Sequence, residues 1–156
     1  MTANVFEIFM SQHPPAGNAV AAANAALWER AALSPFIKER MRIASAEAIG
    51  CSYCARVRTE LDGKTIVERE DSLREDDLAK AELAEQFIRA VVESRGEICD
   101  KLTMELQRHY SPAEFADLVF SLGWFIGMQH VGRFMHWDQA CPVAQMRELV
   151  EAGQAA

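Results

Sequence analysis

No run of basic residues interrupts this chain of 156 residues, in which 16 lysines and arginines face 23 aspartates and glutamates for a net charge of −7. A phosphate backbone would find little to hold it, and an anionic lipid surface would repel the protein, so neither nucleic acid nor membrane is an expected partner. Small molecules and other proteins are. Strand signals are almost as scarce, with one brief β-branched run at 64–68 amid segments of helical period rich in alanine, leucine and glutamate. There is no glycine-rich phosphate loop and no dinucleotide fingerprint, so no cofactor is inferred. The first ten residues carry Glu7 and no basic residue ahead of their apolar ones. They do not read as a secretory signal, and the expectation is a cytoplasmic protein. The apolar run 118–128 gives way to Gln129, His130 and Arg133, too soon for a membrane span.

The length fits one domain over 1–156, and half the residues are hydrophobic with a quarter charged, the balance of an ordinary globular protein. The fold class expected is all-α. After a loop at 13–17 containing Pro14-Pro15, an alanine-rich helix is predicted over 18–33. Ser34-Pro35 then reads as an N-cap and a proline at the first helical position, opening a second helix to Ile49 that Gly50 interrupts. A short third helix is predicted from Cys51, carrying Cys54 and Arg58 and ending near Asp62-Gly63. The charged stretch 68–77 reads as a solvated loop and helix start. Further helices follow over 78–95, stopped by Gly96, and over 97–109. Ser111-Pro112-Ala113-Glu114 is a capping-box pattern, so a long helix should begin at Pro112 and run towards His136. Being apolar on nearly every side, it should lie in the domain centre or at a subunit contact. Pro142 and Val143 open a last helix to Ala152.

The four cysteines include one close pair, Cys51-Ser52-Tyr53-Cys54, placed twelve and fifteen residues after Glu39. Residues three apart on a helix share a face, so the two sulfurs can meet and exchange between dithiol and disulfide with little backbone movement. A cysteine in the first turn of a helix also feels the positive end of the dipole, which favours thiolate. Three readings are open: a redox couple, zinc ligation, and two cysteines buried without chemistry. Zinc would need more ligands, and with no second Cys-x-x-Cys only Cys99, Cys141 and scattered histidines remain; no metal is assigned. Glu39 shares a helical stripe with Ile43, Ala46 and Gly50, small or apolar positions suited to facing inwards. Desolvation there would raise its pKa into a range useful for proton exchange, whereas pairing with Lys38 or Arg42 would make it structural. His130 and Arg133, three apart on the long helix, either present a polar patch to the same cavity or serve as satisfied structural polars.

The stretch 39–58, with its glutamate, Gly50-Cys51, Tyr53-Cys54 and helical context, resembles the alkylhydroperoxidase D-like group of the carboxymuconolactone decarboxylase family. More loosely, 83–92 and 111–134, the latter ending in Gly132-Arg133-Phe134, resemble the family's later helices. The resemblance implies an alkylhydroperoxidase D-like helical bundle, assembled as a trimer or hexamer with sites near subunit contacts. It implies that Cys54 attacks a hydroperoxide, Cys51 resolves the product as a disulfide, Glu39 begins a proton relay, and an external dithiol reductant restores the pair. The group's histidine four residues after the second cysteine is here Arg58, which cannot accept a proton but carries a charge able to stabilise a thiolate. Tyr53 stands where some members hold histidine, and with His130 and Arg133 it is a candidate for substrate contact. The rival readings are a cofactor-free decarboxylase acting on a carboxymuconolactone-like ring and a non-enzymatic redox-sensing oligomer.

Overall fold

The computed structural model describes residues 10–29, 32–61, 64–66 and 75–135. They are predominantly helical: α1 Pro14–Glu29, α2 Pro35–Ile49, α3 Ser52–Arg56, α4 Glu75–Glu93, α5 Asp100–His109 and α6 Pro112–Phe134. A two-residue antiparallel pair, β1 Glu60–Leu61 with β2 Lys64–Thr65, lies between α3 and α4, with Glu60 opposite Thr65 and Leu61 opposite Lys64. Among the described residues no helix is long and apolar enough to cross a membrane.

The core is organised around α2. Ser34 caps its start by accepting a hydrogen bond from the Ile37 N–H, with Pro35 in the first turn as the sequence predicts. Phe36, Ile37, Met41, Ala44 and Ile49 are buried along its length, packed between α4 and α6. Lys38 and Glu39 are also fully buried on this helix. The Lys38 Nζ donates to the Leu27 carbonyl and lies 3.0 Å from Asp117 Oδ2, which also accepts from the Leu33 N–H, so one buried ion pair joins the end of α1 to α2 and α6. Burial pulls the Lys38 pKa below its usual value against the opposing pull of Asp117.

Two expectations are corrected. The first helix begins at Pro14 rather than Asn18: the two prolines occupy its first turn, where their missing N–H groups cost nothing, and His13 Nδ1 accepts the Ala16 N–H as a cap. The third helix ends at Arg56 rather than near Asp62-Gly63, and the chain pairs as a hairpin instead. The long helix starts with the predicted capping box of Ser111 and Glu114, but it buries only a stripe, chiefly Leu118, Ser121, Phe125, Gln129 and Gly132. Val119, Phe120, Val131 and Phe134 are exposed, so α6 flanks the core that α2 occupies. The turn read at Asp62-Gly63 and the helix read at 142–152 lie outside the described residues.

Candidate functional site

Gly50 decides where the cysteines stand. It takes the left-handed conformation (φ 79°), its N–H bonding Ala46 and Glu47 carbonyls while the Cys51 N–H bonds the Ala46 carbonyl at 2.8 Å. This closes α2 and turns the chain straight into α3. Cys51 becomes the N-cap of α3 and is buried, 3% exposed, whereas Cys54 on α3 is half-buried. Both thiols are free, and their Sγ atoms lie 2.7 Å apart. Cys54 lines a cavity of about 540 Å³ with Tyr53, Trp28, Trp124, Met128 and Gln129 among its walls; Cys51 does not line it.

The thiolate preference expected from the helix start is reversed. A helix of five residues has little dipole to offer, and burial together with the hydrogen bond and charge of Cys51 pushes the Cys54 thiol up to about 12. The opposing cation is Arg42, not Arg58. Because α3 ends at Arg56, Arg58 lies beyond it, exposed, and its guanidinium donates to the carbonyls of Ala55 and Val57.

Arg42 is the hub. Its Nε and Nη2 grip the Glu39 carboxylate in a bidentate pair at 2.8 Å each, and the same guanidinium donates to the carbonyls of Cys54 and Val57. Thr59 adds its N–H to Glu39 Oε1 at 3.0 Å and its hydroxyl to Oε2 at 2.8 Å. Burial alone would raise the Glu39 pKa, but Arg42 and Thr59 together hold the carboxyl below its usual value. Of the two readings the sequence left open for Glu39, the structure shows the pairing with Arg42 and not the raised pKa. Glu39 is a buried, fully bonded carboxylate that fixes Arg42, and Arg42 holds the backbone of the cysteine helix. Gln129 supports Arg42 from α6, its amide donating to the Arg42 carbonyl at 2.7 Å.

Tyr53 shares the cavity with Cys54, but His130 and Arg133 do not: both line a second cavity with no wall residue in common. Arg133 Nη1 donates to the Ile49 carbonyl at 2.7 Å, binding the last turn of α2. Thr59 and Gln129 are the site residues that sequence reasoning missed, whereas Arg42 was foreseen as a partner of Glu39 but not as the group that holds the cysteine helix. Arg42 had a signal, its position three residues after Glu39 on one helix; Thr59 and Gln129 arrive from across the fold and had none. Cys99 is exposed at the start of α5 and does not line the cavity of Cys54, and Cys141 lies outside the described residues. Among the described residues no three metal-ligating side chains converge. The chain matches no family model and no curated protein.

Proposed function

We propose that the chain is a thiol-dependent peroxidase, or a related disulfide oxidoreductase, of the alkylhydroperoxidase D-like type. The observation that carries this reading is the 2.7 Å approach of two sulfurs of which only one, Cys54, reaches a cavity. The accessible sulfur takes the role of attacking thiol and the buried one that of resolving thiol. Cys54 thiolate attacks the terminal oxygen of a hydroperoxide, the O–O bond breaks, and the alcohol leaves with a proton while Cys54 becomes a sulfenic acid. Cys51 then attacks that sulfur, water departs and the disulfide forms; an external dithiol reduces it by exchange and is itself oxidised. Apolar walls at Trp28, Trp124 and Met128 suit an organic hydroperoxide. Glu39 acts here as a positioning residue through Arg42, whose charge favours the thiolate, in the place the resemblance gave to a proton relay and Arg58.

Peroxide consumption with a dithiol reductant tests the reading. Wild type should turn over, Cys54→Ser should be inactive, and Cys51→Ser should stop at a sulfenic acid trapped on Cys54 and seen by mass spectrometry. Equal turnover in all three proteins would refute it. A second reading, a redox sensor, rests on the same approach of the two sulfurs. A thiol that ionises late attacks peroxide slowly, and it is also a poor leaving group, which slows reduction of a disulfide once made. Reversible disulfide formation without turnover would select it.

A further inference from the structure

The second cavity, of about 520 Å³, lies where the ends of α2, α4 and α6 meet. Its buried and half-buried walls are apolar, Ile49, Val91 and Ile126, and its exposed ones are Arg95, His130 and Arg133. No carboxylate lines it. Arg133 spends one nitrogen on the neutral Ile49 carbonyl, and among the described residues no carboxylate pairs with its guanidinium. Glu47, next to Ala48 of this wall, is taken by Arg89, and Glu93 and Glu97, which flank Arg95 in sequence, do not line the cavity. Arg95 occupies a left-handed position (φ 57°) beside Gly96, whose N–H bonds the Val91 carbonyl to close α4. That position favours glycine or asparagine, and an arginine there carries a conformational cost with no side-chain hydrogen bond in return among the described residues. In a chain of net charge −7, the lining of this cavity carries two guanidinium groups over an apolar floor and no carboxylate.

We propose that this cavity binds an amphipathic carboxylate, an apolar chain or ring carrying one carboxyl group. The planar forks of Arg95 and Arg133 take the carboxylate oxygens, a geometry for which guanidinium is suited, while the apolar body rests on Ile49, Val91 and Ile126. His130 adds a third donor at the mouth. The volume is in the range of pockets that enclose small organic ligands. This site is separate from the cysteine cavity and requires none of its chemistry.

Octanoate and its uncharged counterpart 1-octanol are the probes, titrated into the whole chain and followed by protein NMR. Octanoate should produce saturable shifts at Val91, Val92 and Ile126. Arg95→Gln, which removes a side chain with no hydrogen bond among the described residues and should melt as wild type does, should weaken octanoate roughly tenfold and leave octanol unchanged, as the loss of a charge-assisted contact requires. Arg133→Gln should weaken octanoate in the same way. The proposal is overturned if octanoate does not bind, if octanol binds as tightly, if the shifts fall on Trp28 and Trp124 of the other cavity, or if both arginine variants keep wild-type affinity.

Discussion

Glu39 is fully buried, yet its carboxyl stays below the ordinary 4.5 because Arg42 and Thr59 supply bonds that outweigh desolvation. A carboxyl depressed in the folded state contributes stability above its unfolded pKa, and that contribution is lost as pH falls through the lower folded value. Denaturant unfolding should therefore show stability declining as pH drops below 4.5, with a shallower decline in Glu39→Gln. Removing the partner is harsher. Arg42→Met leaves a buried carboxylate uncompensated and should cost about 3 kcal/mol, partly recovered in the double variant with Glu39→Gln. The same residue governs the thiol. With Cys54 ionising only at about 12, its alkylation rate should climb about tenfold per pH unit from about pH 7 to about pH 10 without a plateau. Arg42→Met should lower that rate at every pH, because the cation opposing desolvation is gone; an unchanged rate profile would detach Arg42 from the thiol.

At the scale of elements, the short segment from Gly50 to Thr59 does the positioning. Gly50 reverses the chain, α3 makes barely more than one turn, and Arg42 holds carbonyls at its end where a longer helix would hold its own. A Cβ at position 50 meets nothing nearer than Arg133 Nη1 at 3.9 Å, so Gly50→Ala is strained by its backbone and not by crowding. The substitution should cost about 1–2 kcal/mol in denaturant unfolding and slow disulfide formation by shifting Cys51. The hairpin after α3 was the least legible element. Its β-branched cue at 64–68 was visible, but whether 57–61 continued the helix depended on Thr59 reaching back to Glu39. The capping box of α6 and the Ser34 cap of α2 were legible because their signals are local, a hydroxyl and an N–H three residues apart.

For the whole molecule, α6 leaves Phe120, Gly123, Gly127, Val131 and Phe134 exposed in one stripe, with Phe134 at 79%. Phe120 stacks on Trp124 of its own helix, and Trp124 lines the cysteine cavity. An exposed apolar stripe of this kind is suited to a contact with another chain, and we propose it as the contact face of the homo-oligomer, trimer or hexamer, that the family resemblance implies. In that reading Phe134→Asp and Phe120→Asp should each lower the mass measured by light scattering. Wild type eluting as a monomer would remove the argument.

The sequence by itself determined a mainly helical chain, the caps of α2 and α6, the break at Gly50 and the closeness of two sulfurs, because each follows from residues within one or two turns of one another. Tertiary structure decided the rest. Only packing could choose Arg42 over Arg58 as the cation facing Cys54, bury one thiol and leave the other at a cavity, send Lys38 to Asp117, and part His130 and Arg133 from the cysteines. Those outcomes depend on which distant groups share a desolvated space, where charges must find partners or shift their pKa, and spacing along the chain does not encode that.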